Sequence, residues 1–200
     1  MTIRTPLQPI TTELYRQLPE GPPYYQLIEG NLILSPSANF FHQKIVGRLY
    51  HYIEAYLEEH PVGEAVIAPS DVFLDEINVF QPDLYFVKNE NRQVLAYEGV
   101  KGAPDLVVEV LSPSTEAYDR GDKFDGYRGI ESFEEYVLIS QKDASAQTFF
   151  RQADGTWVLT PYSGKQEIVK IRSLGIDLSM AEIYAGVQFQ PQPEPAQDLV

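Results

Sequence analysis

Two short segments of the chain set carboxylates inside apolar runs, QPDLYFV (81–87) and GAPDLVVEVLSPST (102–115). In the second, Glu109 stands in the middle of a Leu- and Val-rich stretch that reads as a central strand covered on both faces. An isolated ionised carboxylate is costly to bury there, so Glu109 must be paired, protonated or bound to a cation. The plainer alternative puts it near an exposed strand end or beside a structural Arg. In the first segment Asp83 follows Pro82, a residue tolerated at a strand's first position. If the two strands are neighbours, Asp83 and Glu109 converge on one divalent ion, with carboxyl groups ~4–6 Å apart. Two carboxylates with water and a substrate phosphate suit Mg2+ and favour metal-assisted phosphodiester hydrolysis, with two-carboxylate glycoside hydrolysis as the alternative.

Lys123, in EAYDRGDKFDGYRGI (116–130), is the third candidate. On a helix, Asp119, Lys123 and Tyr127 form one stripe beside Phe124 and Ile130. Read plainly, Asp119 and Lys123 are an exposed ion pair worth a few tenths of a kcal/mol. Alternation along the second segment puts Asp105, Val107, Glu109 and Leu111 on one face. Asp105 then lies roughly 13 Å from Glu109, too far to share its ion, and is a supporting residue at the start of the strand. His42, His51 and His60 fall on one long helix, but 42 and 51 face opposite ways and 42 and 60 are about 27 Å apart. No joint histidine site is possible, although His42 alone could face the cleft or cap the helix. Glu29 could add a carboxylate to the metal site, while a Glu-Gly turn already explains it. GxSxG, GxGxxG and GxxxxGK[ST] are absent.

Positioning these residues requires a recognisable set of elements. Thr11–Thr12 cap a short helix around Glu13–Leu18, and residues 24–36 read as a hairpin turning at Glu29–Gly30–Asn31. Phe41, Ile45, Leu49, Ile53 and Leu57 recur every four positions and predict a helix from Ala38 to about His60. A second hairpin pairs Ala65–Leu74 with Phe80–Val87 through a turn at 75–78. A strand at 104–113 leads into an amphipathic helix over Ala117–Ile130 and a strand at Glu134–Ile139. Strands at Ala146–Gln152, Thr156–Pro161 and Gln166–Ile171 follow, then a small helix at Ser179–Tyr184. The alternation predicts an α/β fold, with α+β as the competing label.

Two hundred residues, 44% hydrophobic and 22% charged, suffice for one domain with a real core. We expect that domain over 1–187, behind a loose arm at 1–10 and before a Pro/Gln-rich, disordered tail at 188–200. Neither a secretory leader nor a membrane span is legible, and zero Cys removes thiolate metal sites and a Cys nucleophile. A cytoplasmic protein is expected. The net charge of −14 argues against a nonspecific nucleic-acid coat, though not against local contact through a bridging Mg2+.

QPDLYFV, GAPDLVVEVLSPST and DRGDKFDGYRG together resemble a large bacterial family described as putative restriction endonucleases, within the PD-(D/E)XK nuclease superfamily. The likeness runs from roughly Tyr24 to Tyr184 and includes LIEGNLILSP, His42–Gln43 and DLSMAEIY (177–184). It implies a restriction-endonuclease-like mixed sheet flanked by helices, with a C-terminal β extension. It also implies Mg2+- or Mn2+-dependent cleavage of nucleic acid, DNA foremost. Asp83 and Glu109 match the two metal-holding acids. Position 111, where the Lys of E-x-K belongs, is Leu; in variants of the superfamily that Lys has moved to the following helix, and Lys123 matches it. Lys123→Met is then expected to stop cleavage without changing the melting temperature. Dimeric relatives, with Tyr24, Tyr25, Phe40, Phe41, Tyr50 and Tyr56, suggest a homodimer. The rival reading is a catalytically degenerate nuclease-fold domain serving assembly or regulation, which the acidic charge favours.

Overall fold

The structure, a computed structural model, describes residues 9–19, 21–35 and 37–189. Of the expected arm at 1–10 and tail at 188–200, residues 1–8 and 190–200 lie outside the described residues. Thr11 caps α1 (Thr12–Tyr15), which stops short of the expected Leu18 because the residue before Pro19 disfavours helix. β1 (Tyr25–Ile28) and β2 (Asn31–Leu34) form the expected hairpin. Its turn holds Glu29 and Gly30 at φ 49° and 72°, the paired left-handed geometry of a type I′ turn. Gly30 is further required because a Cβ there would meet that of Pro9 at 2.3 Å. Ile45, Leu49, Ile53 and Leu57 form the buried face of α2 (Phe40–Glu59), as their spacing predicts.

The expected hairpin at 65–87 is divided between two sheets. Its strands break at Pro69 and Pro82, which cannot donate to a ladder. This leaves β3 (Gly63–Ile67), β4 (Asp71–Phe73), β5 (Val79–Phe80) and β6 (Leu84–Lys88). β3 pairs with β6 in one sheet and β4 with β5 in the other. The second sheet continues into β7 (Leu95–Ala96) and β8 (Gly99–Lys101), strands too short to carry a readable alternation.

β9 (Leu106–Leu111) is buried at every residue. The helix expected over 117–130 is two pieces, α3 (Glu116–Arg120) and α4 (Asp122–Arg128), interrupted at Gly121 with φ −111° and ψ −101°. Glycine is the least committed to helical angles after proline, and the chain bends there. β10 (Glu135–Ser140) returns parallel to β9, and β11 (Ser145–Arg151) and β12 (Trp157–Ser163) extend the sheet antiparallel. A separate hairpin of β13 (Ile168–Ile171) and the unanticipated β14 (Ile176–Ser179) leads into α5 (Met180–Ile183).

This is an α/β fold with a mixed main sheet, ordered β12-β11-β10-β9-β6-β3. Leu106, Val108 and Val110 face α2 and the C-terminal hairpin. Val107 and Leu111 face Phe124 and Tyr127 of α4 together with Val72, Phe80 and Val100 of the second sheet. Both faces of β9 are thus covered, so its one acid is enclosed.

Candidate active site

The antiparallel register of β6 on β9 pairs Leu84 with Val108, which brings Asp83, just ahead of β6, opposite Glu109. The two are bound through the backbone as well. Val110 N–H donates to Asp83 Oδ2 at 2.7 Å, and Asp83 N–H donates to Glu109 Oε2 at 3.3 Å. Strand pairing alone therefore brings both candidate acids to one end of the sheet.

Lys123 reaches this place from α4. Its Nζ donates to Glu109 Oε1 at 2.9 Å and lies 3.0 Å from Asp119 Oδ1. The second contact is off the hydrogen-bonding direction, so it is an attraction between charges and Asp119 Oδ1 has no hydrogen bond. Asp119 and Lys123 are buried, not the exposed pair of the plainer reading. The break at Gly121 does not part them. Tyr136 OH donates to the Asp119 carbonyl at 2.8 Å and ties α3 down over the strand.

Burial pushes the Glu109 carboxyl well above the usual range; Lys123 opposes this, and Asp119 and Asp83 add to it. For Lys123, burial acts downward but is outweighed by Asp119 and Glu109, which hold its pKa above the ordinary lysine value. One ammonium faces three carboxylates. The cluster consequently favours one more positive charge, either a proton on Glu109 or a cation.

His42 stands on the first turn of α2, where Asn39 Oδ1 accepts its backbone N–H. Its Nε2 lies 3.0 Å from Asp83 Oδ1. With Asp83 Oδ1 as the acceptor, Nε2 carries the hydrogen, and Nδ1 is buried with no partner among the described residues. Sequence reasoning missed Gln141, whose Oε1 accepts from Asn39 Nδ2 at 2.7 Å and whose Nε2 has no partner among the described residues. It comes from the loop after β10, and no local pattern announces it. These groups line a cleft of about 870 Å³, closed on one side by the turn Ser112–Thr115.

Other candidates lie elsewhere or play a different part. Asp105 is buried at the far end of β9, where it accepts from Lys88 N–H at 2.7 Å and from Asn91 Nδ2 at 2.5 Å, as a residue fixing the strand's start does. Glu29 is exposed in the hairpin turn, its N–H held by Asn78, and is not part of the cleft wall. Tyr127 is buried beneath the cluster with an unpartnered hydroxyl; burial, then the Glu109 charge, raises its pKa.

A family model, Uma2, described as "putative restriction endonuclease", matches residues 12–181. An uncharacterized Synechocystis protein is 38% identical over 86 residues, 43% of this chain and 45% of that one, so the match spans less than half of the relative. A second uncharacterized Synechocystis protein is 24% identical over 152 residues, covering 76% of this chain and 85% of that one. The fold is similar to the crystal structure of a putative nuclease belonging to DUF820 from Anabaena variabilis, with a TM-score of 0.75 at 17% identity, over 90% of this chain and 100% of that chain.

Proposed function

Because this chain belongs to the Uma2 family of putative restriction endonucleases, we propose that its cleft hydrolyses phosphodiester bonds of nucleic acid, DNA foremost, with Mg2+ or Mn2+. The observation that carries this reading is the meeting of Asp83, Glu109 and Lys123 at one strand end, with Lys123 arriving from the helix after the strand. The residues fit a divalent cation. Among the described residues no three or more His, Cys, Asp or Glu side chains form a metal cage. Mg2+ needs only one or two carboxylates, completed by water and phosphate. Asp83 opens onto the cleft and Glu109 lines it, and the excess of negative charge supplies the attraction. Asp83 and Glu109 would hold the ion, which supplies Lewis-acid polarisation and a lower water pKa.

The chain's own groups do the rest. Lys123 has three N–H donors, of which only the one to Glu109 is engaged in a hydrogen bond, so donors remain for an attacking water or a phosphoryl oxygen. Its fixed charge stabilises the negative charge that builds in the transition state. His42 holds Asp83 Oδ1 in place, and Val110 N–H holds Oδ2. Such work belongs in the cytoplasm and suits a homodimer, one site per strand. Of the six aromatics expected at its interface, Tyr24 and Phe40 are exposed, whereas Phe41, Tyr50 and Tyr56 pack on the main core and Tyr25 on a smaller one.

Titrating Mn2+ into the protein with supercoiled DNA tests the reading. Nicking that Glu109→Gln abolishes supports it, and no nicking with either metal removes it. The net charge of −14 favours the second reading, a catalytically degenerate module of the same fold.

A further inference from the structure

The cleft at Asp83 shares Pro23, Tyr24, Pro69 and Gln81 with a second cavity of about 1010 Å³. At its floor lies Asp71. Its Oδ1 accepts from Gln81 Nε2 at 2.7 Å and, more weakly, from Tyr15 OH at 3.2 Å, whose nearer acceptor is the Tyr25 carbonyl at 2.7 Å. No donor among the described residues reaches Oδ2. Burial raises the Asp71 pKa, partly opposed by the hydrogen bonds from Gln81 and Tyr15 and by the Arg16 charge. Beside it Ser70 Oγ and Tyr85 OH share one hydrogen bond of 2.7 Å. The walls are aromatic, with Tyr24, Tyr25, Phe73 and Tyr85, and Tyr97 stands wholly exposed at the lip. Arg16 and Arg92 flank the opening in exposed ion pairs to Glu98 and Glu64, and the Arg16 guanidinium also lies over the Phe73 ring at 4.3 Å.

We propose that this second cavity is a base-recognition pocket, taking the unstacked base of a nucleotide next to the bond held at Asp83. Asp71 selects a base that carries an exocyclic amine. The inference rests on the nucleic-acid part of the reading above. Gln81 and Asp83 both line the first cleft and lie two residues apart in the segment joining β5 to β6, at most about 7 Å of chain, within the reach of a single nucleotide. Tyrosine faces accept any base by stacking, and a flipped base is read by hydrogen bonds at its edge. A carboxylate oxygen accepts from the N4 amine of cytosine, whereas thymine turns a carbonyl oxygen to the same place. Arg16 and Arg92 can exchange their weak surface pairs for phosphates. A net charge of −14 disfavours an extended grip on the phosphates of a duplex, and a locally unstacked strand asks for few cations.

The full chain in EDTA at low ionic strength gives binding without cleavage. Oligo(dC) and oligo(dT) are compared by fluorescence anisotropy. Oligo(dC) is expected to bind about ten-fold tighter, and Asp71→Asn to bring the ratio near one. Tyr97→Ala, a change at a wholly exposed side chain, is expected to weaken both strands alike. Equal affinities in the unmodified protein overturn the proposal, as does a ratio that Asp71→Asn leaves unchanged. A parallel Mn2+ cleavage assay separates the two readings. Preference for oligo(dC) without cleavage keeps the pocket and removes hydrolysis; cleavage without preference keeps hydrolysis and removes the pocket.

Discussion

Lys123 Nζ lies 2.9 Å from Glu109 Oε1, although the residues are 14 positions apart and the helix between them is broken. Leu111, in the place where an E-x-K strand would carry its lysine, packs instead into the apolar cluster around Phe124 and Phe133. The cation beside Glu109 thus comes from α4 and not from β9.

This burial changes the expectation for Lys123→Met. The ammonium is enclosed by two carboxylates, and removing one partner of a buried pair leaves uncompensated charge. Urea denaturation should show a loss of about 3–5 kcal/mol, not the unchanged melting temperature that an edge position implies. Cleavage should disappear as well. A variant as stable as the unmodified protein would contradict the buried cluster.

Excess carboxylate at the cluster predicts stabilisation by cations. With Ca2+ at ten times its dissociation constant, thermal melting should report about 1.4 kcal/mol of added stability. Asp83→Asn should remove most of that gain while leaving the core intact. A melting curve indifferent to Ca2+ and Mn2+ would count against a metal centre.

On the proposed reading His42 is a positioning residue, acting through Asp83 Oδ1, from which its Nε2 lies 3.0 Å. His42→Ala should lower Mn2+ affinity and cleavage by about 10–100-fold, and the Mn2+ midpoint should move with the rate. A fall in rate at an unchanged midpoint would instead place His42 in the chemistry.

Glu135 offers a pH test away from the cleft. Burial raises its pKa, partly opposed by Ser173 and then by the Arg172 N–H and charge. A raised folded pKa gives stability that is complete below the unfolded value, about 4.3, and is lost as pH rises through the folded value. The stability of Glu135→Gln relative to the unmodified protein should therefore increase from pH 4 towards pH 7 in urea melts. A difference that stays flat or falls over that window would refute the raised pKa.

The sequence by itself determined the elements whose periodicity is local. α2, the β1–β2 turn and the doubly buried β9 follow from side-chain directions set by each element's own backbone, at 3.6 and 2 residues per repeat. The same alternation put Glu109 on the face opposite Val108 and Val110, and the apolar run around it required a partner for its charge. Which partner was a matter of tertiary structure. Asp83 and Glu109 meet through a strand pairing between distant segments, and Asp119 is buried because Tyr136 on β10 holds α3. Pro69 and Pro82 mark where the strands of 65–87 break, but which sheet each piece joins, and with it the Asp71–Gln81 pocket, depends on the second sheet closing over α4. Contacts of that kind are won by the total apolar surface buried among segments far apart in sequence, a quantity that no local spacing contains.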